Sequence, residues 1–417
     1  MTSDIRSDFA FDGIVPYAPL KICALESIRD FASVVNDYLI EFRQTATDLE
    51  FDQAPARNAG PGSRKGYLVE NSCPRFGSGE GKGIIHDSVR GSDLYIMTHV
   101  TNYSLTYSIC GRENHMSPDD HFRDLKRIIA AASGSARRIN VIMPFLFESR
   151  QHRRSKRESL DCAMALQELV KMGVEDIITF DAHDPRMVNA IPLNDFDNYT
   201  PPYQFMKAIF RRDRNIIIDK DHLMVISPDE GAMHRAVYFA SNLGVNIGMF
   251  YKRRDYTTVV NGKNPIIAHD FLGQDVRDMT VILIDDMIAT GESILDTARD
   301  LKDRGAGKVI ICATFGLFTE GFDRFDDYHN REYFDYVVTT NLTYRKPELF
   351  TKPWYIEADL CKFTAAIINT INHDQTTSQI LMPTQRIQRL ITRYNEETRK
   401  EFEQSMLDLD YGSGSAQ

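Results

Sequence analysis

The chain has 417 residues and carries 49 Lys and Arg against 59 Asp and Glu, which gives a formal net charge of −10. Hydrophobic residues make up 42% and charged residues 26%, a balance typical of a folded protein with two or three domains. The acidic charge argues against nucleic-acid binding over the whole surface, and no apolar run reaches the ~20 residues of a membrane-spanning helix. We therefore expect neither nucleic acid nor a membrane as a partner.

Cysteine usage and the first residues bear on the cellular compartment. The 6 cysteines are scattered, with no C-x-x-C pair and no spacing typical of zinc sites. The first residues lack the basic segment and the apolar segment of a secretory signal. Free thiols of this kind favour a reducing compartment, so we expect a cytoplasmic protein.

Apolar strands alternate with amphipathic helices along much of the chain. In the first half, Ile139–Leu146 and Asp176–Phe180 are predicted strands, and the helix between them, Glu158–Met172, is ended by Gly173. This alternation is typical of parallel βαβ units and predicts an α/β protein with two open sheets in tandem. In the second half, we predict strands at Leu223–Ile226, Asn246–Tyr251, Met279–Ile284, Lys308–Leu317 and Tyr333–Thr339, and helices at Gly231–Leu243 and Glu292–Arg304.

Other segments have the composition of loops, linkers or tails. Asn58–Gly83 is rich in Gly, Pro and Ser and is predicted to be a loop, and Asn194–Pro202 is interpreted as a domain boundary. Thr384–Phe402 has a helical pattern with mixed charge, whereas Tyr411–Gln417 is predicted to be disordered.

The clearest chemical signal is the segment Val281–Ser293, VILIDDMIATGES. An apolar strand ends in Asp285 and Asp286, and a short loop then opens a helix. Ligands of open α/β sheets bind at the carboxyl ends of strands, and a helix N-terminus suits a phosphate. The two carboxylates could hold ribose hydroxyls or a divalent cation. The alternative is an acidic strand end followed by an ordinary N-cap at Thr290 or Ser293; the coincidence of all three features favours a ligand site.

A second signal is a cluster of five cations between Arg150 and Arg157. Such a run is often a solvated surface, but here it follows a predicted buried strand, where α/β sheets carry their ligand loops. Guanidinium groups bind phosphate through two parallel hydrogen bonds, so this position suits a polyphosphate. The sequence has no G-x-x-x-x-G-K-[ST] motif, so any triphosphate is held in another way.

The segment Val281–Ser293 resembles the phosphoribosyl pyrophosphate (PRPP) loop of phosphoribosyltransferases and of ribose-phosphate pyrophosphokinases (PRPP synthetases). Further segments resemble motifs of the second family and occur in its order: Phe76–Glu80 (FGSGE), Ser88–Gly91, Pro144–Arg153, Thr179–His183, Val225–Gly231 and Lys252–Arg254. The resemblance implies two tandem phosphoribosyltransferase-like open parallel-sheet domains, at residues 1–195 and 196–375. A C-terminal helical extension and disordered tail would follow at residues 376–417.

The resemblance also implies an activity and a set of site residues. The family moves the diphosphoryl group of ATP to ribose 5-phosphate, giving PRPP and AMP, with Mg²⁺ as cofactor and as a homo-oligomer. The implied catalytic residues are Lys252, Arg254, Arg150 and Arg153, and the implied ATP-binding residues are Phe76, Glu80, Arg150, Gln151 and His183. The implied ribose 5-phosphate residues are Asp285, Asp286, Thr290, Gly291, Glu292 and Ser293, and the implied metal ligands are His183 and Asp229.

Four positions depart from the family pattern. Ala289 and Glu292 replace an aspartate and a glycine in the PRPP loop, Ser78 replaces an aspartate in the adenine segment, and His152 replaces an aspartate in the arginine loop. Two alternatives therefore stay open, namely a diphosphokinase that acts on another ribosyl acceptor and a non-catalytic regulatory paralogue. A phosphoribosyltransferase, which consumes PRPP, is disfavoured by the segments around Arg150 and Lys252.

Overall fold

The computed structural model describes residues 15–43, 66–154, 156–254, 266–381 and 384–397. Of residues 252–254, 266–269, 379 and 381 it describes only the backbone. The predicted disordered tail, Tyr411–Gln417, lies outside the described residues. Within the described part of the chain, no helix combines the length and the apolar character that a membrane span requires.

The chain divides into two compact units, and the first one comprises Met1–Pro201, Asn341–Arg345 and Asp359–Leu381. Its main strands are β1 (Leu20–Ala24), β4 (Asp93–Met97), β7 (Arg138–Ile142), β8 (Asp176–Phe180) and β9 (Asp195–Tyr199), which form a fully parallel sheet in the order β1-β4-β7-β8-β9. Two small antiparallel pairs are β2 (Asn71–Ser72) with β3 (Ile84–Ile85) and β5 (Thr106–Ile109) with β6 (Arg112–His115). The helices are α1 (Arg29–Phe42), α2 (Pro118–Ala132), α3 (Asp161–Lys171), α8 (Cys361–Asn372) and the single turn α9 (Ser378–Leu381), with 3₁₀ turns at Glu26–Ile28 and Pro185–Ala190.

The first sheet has an apolar centre and a polar edge. Strands β4 and β8 are buried along their whole length, as expected for parallel strands that are covered on both faces. The edge strand β9, with the sequence DFDNY, has three polar and two aromatic residues and is only partly buried. It occupies most of the segment interpreted as a domain boundary, and the second unit begins at Pro202. This polar edge strand lacks the continuous apolar run by which β7 and β8 were predicted; β1 and β4 were not predicted either.

The second unit comprises Pro202–Thr340, Lys346–Ala358 and Met382–Gln417. Its strands are β10 (Leu223–Ser227), β11 (Asn246–Arg254), β12 (Ile266–Leu272), β13 (Thr280–Ile288), β14 (Lys308–Gly316), β15 (Tyr336–Thr340) and β16 (Tyr355–Ala358). The sheet order is β12-β11-β10-β13-β14-β15-β16, and only the β11–β12 pair is antiparallel. The helices are α4 (Pro202–Arg212), α5 (Met233–Leu243), α6 (Glu292–Asp303), α7 (Asp323–Asn330) and α10 (384–397), with a 3₁₀ turn at Pro347–Thr351.

Two apolar clusters cover the two faces of the second sheet. One includes Trp354, whose indole Nε1 donates to Oδ1 of Asp326 at 2.8 Å and whose ring packs among phenylalanines. The other includes Tyr394 of α10, which stacks on Phe210 with ring centres 4.2 Å apart. The helical pattern predicted for Thr384–Phe402 is therefore present over 384–397 and packs on the second unit. Both faces are covered, so the polar residues of this sheet collect at the strand ends.

Candidate active site

The acidic pair Asp285 and Asp286 lies on β13 itself. The prediction that this strand ends at Ile284 was wrong, because β13 continues to Ile288 and keeps its pairing with β14. Its other neighbour, β10, pairs with it only as far as Leu283. The last five of the nine residues of β13 therefore project past β10, and they carry both carboxylates to the carboxyl edge of the second sheet, where ligands of such sheets bind.

Three carboxylates share this edge. Asp286 is buried, and its Oδ2 lies 3.8 Å from Nη2 of the buried Arg235. Oδ1 of Asp285 accepts the backbone N–H of Asp286 at 2.9 Å. Burial, with the carboxylates of Asp286 and Asp229 close by, raises the pKa of Asp285 well above its usual value. Such a cluster is relieved by a cation or by hydroxyl donors, which fits a metal ion or a sugar.

Hydrogen bonds within the loop after β10 hold the Asp229 carboxylate in place. Oδ1 of Asp229 accepts the backbone N–H groups of Gly231 and Ala232 at 2.9 and 3.3 Å, and the Ser227 hydroxyl donates to the Asp229 carbonyl at 2.6 Å. These bonds fix a tight turn ahead of α5. The predicted metal ligand Asp229 and the predicted sugar ligands Asp285 and Asp286 therefore come together at one edge of the second unit.

The loop before α6 has the geometry of an anion site. Gly291 is the N-cap of α6, at a φ of +81° that side chains with a Cβ rarely adopt. A Cβ at Gly291 would also lie 2.4 Å from Cζ of Phe325. Both the backbone angle and this close contact therefore require glycine at this position. Gly291 has no side chain to cap the helix, and the Glu292 N–H donates instead to the Thr290 hydroxyl at 3.4 Å. Thr290, Glu292 and Ser293 are exposed around the start of α6, where backbone N–H groups suit an anion. Glu292 lies in the first turn, where the helix dipole stabilises its negative charge.

In the first unit, Phe76 stands on a tight turn. The Phe76 N–H donates to the Glu80 carbonyl at 2.7 Å, the Gly79 N–H donates to the Phe76 carbonyl at 2.8 Å, and the Ser78 hydroxyl donates to Oε2 of Glu80 at 2.8 Å. Phe76 is nevertheless 55% exposed. A large aromatic ring held on a rigid turn and left in solvent is suited to stacking on a planar ligand.

Four residues that no sequence pattern singles out anchor this turn, namely Arg75, Asp124, Tyr107 and Asp120. Nη1 and Nη2 of Arg75 donate to the two carboxylate oxygens of Asp124 at 2.7 and 2.8 Å. The same guanidinium lies 5.0 Å from the ring centre of Tyr107, whose hydroxyl donates to Asp120 at 3.0 Å. The pairs fix the turn to α2 and to the β5–β6 hairpin. In the sequence, the one sign that Arg75 anchors this turn is its position next to Phe76.

The arginine loop follows β7 and is irregular. After β7 ends at Ile142, a buried stretch leads to Glu148, whose φ is +54°. Arg150 and Arg153 are exposed, and Gln151 is held by its N–H to the Glu148 carbonyl at 2.8 Å and by its side-chain amide to the Ser159 carbonyl at 3.0 Å. The predicted helix starts three residues late, at Asp161, because the residues before it belong to this loop.

His183 lies past the end of β8. The Asp181 N–H donates to the Tyr199 carbonyl at 2.8 Å and the Ala182 N–H to Oδ1 of Asn198 at 2.9 Å, so the segment is fixed to β9. The ring of His183 is 5.3 Å from that of His152, centre to centre. Nε2 of His152 is in turn 3.5 Å from Oδ2 of Asp184.

Asp184 is a firmly ionised neighbour of these imidazoles. Nε and Nη2 of Arg186 donate to its two carboxylate oxygens at 2.9 and 2.6 Å, and these bonds lower the pKa of Asp184 to about 2. In the sequence, His152 is only a departure from a family pattern, and nothing points to Asp184. No local signal could have joined them, because they lie on loops after different strands.

Each unit carries one donor group that can take part in binding a divalent cation. Within the described residues, no group of three or more His, Cys, Asp or Glu side chains could hold a metal ion. Mg²⁺ needs only one or two protein groups when substrate oxygens and water supply the rest. The imidazole of His183 in the first unit and the carboxylate of Asp229 in the second are groups of this kind.

Lys252 and Arg254 lie at the end of β11, and their side chains are outside the described part of the structure. The strand runs three residues past its predicted end at Tyr251, because β12 pairs with it there, with Lys252 opposite His269. A register shift between Arg253 and Arg254 interrupts the ladder. Strand β11 is parallel to β10, so Lys252 and Arg254 belong to the same carboxyl edge as Asp229.

Comparisons with known proteins agree with this architecture. The N-terminal domain of ribose phosphate pyrophosphokinase matches residues 20–173, and a phosphoribosyl transferase domain matches residues 204–349. The ribose-phosphate pyrophosphokinase of Mycoplasma genitalium is 28% identical over 67% of this chain and 80% of its own length. That of Clostridium perfringens is 30% identical over 60% of this chain and 72% of its own length.

A solved structure shows the same fold. The phosphoribosylpyrophosphate synthetase from Mycobacterium smegmatis superposes with a TM-score of 0.64 at 21% sequence identity, covering 85% of this chain and 99% of that one. The fold prediction of two phosphoribosyltransferase-like α/β domains with open, mainly parallel sheets is confirmed. With the matched domains and the relatives, these findings identify the chain as a member of the ribose-phosphate pyrophosphokinase family.

Proposed function

We propose that the chain transfers the β,γ-diphosphoryl group of ATP to the anomeric hydroxyl of ribose 5-phosphate and forms PRPP and AMP. The names of its relatives support this activity. The structural observation that carries it is the combination of a projecting acidic pair, Asp285 and Asp286, with the glycine-capped start of α6. A sugar phosphate needs both features next to each other, carboxylates for its hydroxyls and backbone N–H groups for its phosphate.

The acceptor side is proposed to lie in the second unit. Asp285 and Asp286 accept hydrogen bonds from the ribose hydroxyls, which relieves the repulsion between the carboxylates. The N–H groups of α6, with the hydroxyls of Thr290 and Ser293, hold the 5′-phosphate. Gly291 allows the backbone to approach it closely. Glu292 opposes the phosphate charge and is the one unfavourable member of this loop.

The ATP side is proposed to include three groups of the first unit. Phe76 stacks on adenine, and Glu80 accepts a hydrogen bond from its exocyclic amino group. Arg150, Gln151 and Arg153 hold the phosphates, and their exposure on an irregular loop fits groups that close over a substrate. His183 is the third group and is proposed to lie beside the same phosphates.

Mg²⁺ is the proposed cofactor, with His183 and Asp229 as its protein ligands. When bound, it neutralises charge on the phosphates of ATP. The chain's own residues carry the rest of the catalysis. Lys252, Arg254, Arg150 and Arg153 stabilise the negative charge that moves onto AMP as the bond between the α- and β-phosphates breaks, and one such contact is typically worth ~3–4 kcal/mol of barrier.

Assembly and location complete the proposal. We propose a homo-oligomer in the cytoplasm. A phosphoribosyltransferase reaction is disfavoured, because the matched N-terminal domain belongs to the pyrophosphokinases. A different ribosyl acceptor is the rival that Ala289 and Glu292 favour, because both change the charge of the loop that receives the acceptor.

Product analysis tests the proposal. The purified chain is incubated with ATP, Mg²⁺ and ribose 5-phosphate, and AMP and PRPP are quantified together. Equal amounts of both products, lost in Asp286→Asn with ATP binding retained, would support it. No AMP with this acceptor overturns it, and AMP released only with a phosphodiester-linked ribose favours the rival acceptor.

A further inference from the structure

His152 is a residue of the arginine loop that has no role in the function proposed above. Its ring centre is 5.3 Å from that of His183, and its Nε2 lies 3.5 Å from Oδ2 of Asp184. Its other nitrogen, Nδ1, is buried and has no hydrogen-bond partner in the described part of the chain. Burying a ring nitrogen without a hydrogen-bond partner costs free energy, so the burial of Nδ1 requires an explanation.

The Asp184 carboxylate lies beside the imidazole of His152, with Oδ2 3.5 Å from Nε2. Both carboxylate oxygens of Asp184 accept hydrogen bonds from Arg186, and Oδ1 also accepts the Arg186 N–H at 2.9 Å. A carboxylate fixed in this way beside Nε2 favours the tautomer with its proton on Nε2 and the lone pair on Nδ1. Metal-bound histidines commonly have this arrangement, with one nitrogen toward a carboxylate and the other toward the ion.

The distance between the two rings fits a shared ion. Two imidazoles that bind one cation through bonds of about 2.1 Å have their ring centres roughly 4.5–5.5 Å apart. The observed 5.3 Å falls within this range. Asp184 is already bonded to Arg186, so the first unit offers two nitrogens and leaves the remaining positions to oxygen ligands.

We propose that His152 is a second imidazole ligand, beside His183, of the divalent cation that accompanies ATP, and that this pair shifts metal preference from Mg²⁺ toward Co²⁺ and Zn²⁺. The inference rests on the proposed function for the presence of ATP. Its chemical basis is that imidazole suits borderline transition metals, whereas Mg²⁺ prefers oxygen ligands.

Metal binding without turnover tests the inference. The full chain is saturated with α,β-methylene-ATP, whose bridge between the α- and β-phosphates cannot be cleaved, and Co²⁺ affinity is measured from visible absorption with Mg²⁺ as competitor. His152→Asn is expected to weaken Co²⁺ binding at least about tenfold while changing Mg²⁺ binding much less, and Asp184→Asn is expected to weaken Co²⁺ binding about tenfold. The matched control is His222→Gln, because His222 is also paired with a carboxylate, 2.7 Å from Asp219, but is exposed.

A second measurement needs no variant. In the wild-type chain labelled with ¹⁵N-histidine, Zn²⁺ added to the α,β-methylene-ATP complex is expected to shift ring-nitrogen signals of two histidines. A shift in one histidine only, or a Co²⁺ affinity that survives in folded His152→Asn, overturns the inference. These readouts are separate from product formation. PRPP synthesis with unchanged metal preference in His152→Asn would refute the inference alone, whereas two shifted histidines without PRPP would refute only the proposed function.

Discussion

Arg43 and Asn369 lie 326 positions apart in the chain and are joined by a 2.7 Å hydrogen bond from Nε to Oδ1. Nη2 of Arg43 also donates to Oδ1 of Asn372 at 2.7 Å, and the amide of Asn372 donates to Asp93 at the start of β4. Arg43 as a whole is 1% exposed. Helix α8 is thereby fixed to the amino ends of the first sheet, at the edge opposite to His183 and the arginine loop.

Arg43→Met is expected to destabilise the protein. The change leaves two buried amide oxygens without their donor, which costs about 2–4 kcal/mol of unfolding free energy. Urea denaturation followed by circular dichroism measures it. Arg123→Met, at an exposed position of α2, is the control and should cost well under 1 kcal/mol. Equal losses in the two variants would mean that the buried network contributes no more than a surface arginine.

Asp176 makes stability depend on pH. It begins β8 opposite Asp195, and its Oδ1 has no hydrogen-bond partner among the residues described. Burial, together with the carboxylates of Asp197 and Asp195, raises the pKa of Asp176 to about 8. The folded chain keeps this proton while the unfolded chain loses it near pH 4, so the free energy of unfolding falls as pH rises from about 4 to about 8.

Asp176→Asn removes this effect. At pH 8 the variant is expected to be more stable than the wild type by a few kcal/mol, and the difference should shrink toward pH 4. Urea midpoints at four pH values measure the slope. Asp221→Asn, at an exposed site, should leave the pH dependence of stability as it is in the wild type. A variant whose stability tracks the wild type at every pH would show that Asp176 does not hold its proton.

Substitutions at two glycines allow the cost of backbone strain to be measured apart from the cost of a steric clash. Gly291 and Gly321 have φ angles of +81° and +80°, but only at Gly291 does an added Cβ meet a described atom within 4 Å, the ring of Phe325. Gly321→Ala is expected to cost about 1 kcal/mol from the backbone alone. Gly291→Ala should cost more and should raise the KM for ribose 5-phosphate, which Gly321→Ala should not. Thermal unfolding and initial rates provide the two readouts; equal effects would remove the role assigned to the Phe325 contact.

The sequence predicts best the elements that are set by continuous apolar runs. Strand β8 has its predicted bounds, and β10 differs by one residue, because both are buried on two faces and leave no polar interruption. Helix α6 begins at Glu292 as predicted. For the same reason, the amino-acid pattern alone suffices to place the motifs at these strand ends on one edge of a sheet.

Long-range pairs are what the sequence does not reveal. Arg43 and Asn369 have no local periodicity in common, and the continuous domain limits predicted from the sequence do not anticipate that α8 packs with the first unit. Arg75 with Asp124, and His152 with Asp184, are likewise joined only by the fold. A single polar residue gives no signal of its partner when the partner lies on another loop.

Phe76 provides a test of the ATP side. Stacking of a base on an aromatic ring is worth about 1–3 kcal/mol, so Phe76→Ala is expected to raise the KM for ATP by roughly 5- to 100-fold with little change in stability. Phe350→Ala is the matched control, because Phe350 is 56% exposed and Phe76 55%, and Phe350 lies outside the proposed site. Steady-state kinetics with varied ATP decide the matter, and an unchanged KM in Phe76→Ala would exclude adenine stacking.

Glu292 provides the test of the acceptor. Its carboxylate lies in the first turn of α6 and is exposed, so it competes with a bound phosphate for the positive end of the helix. Removing one charge at such a position changes the interaction by about 0.3–1 kcal/mol, so Glu292→Gln is expected to lower the KM for ribose 5-phosphate about two- to fivefold, and more strongly at low salt. Asp323→Asn is the control, because Asp323 occupies the first turn of α7 but belongs to no proposed site. If Glu292→Gln instead raises this KM, the carboxylate binds the acceptor rather than repelling it, and a less charged ribosyl acceptor becomes the better substrate for this loop.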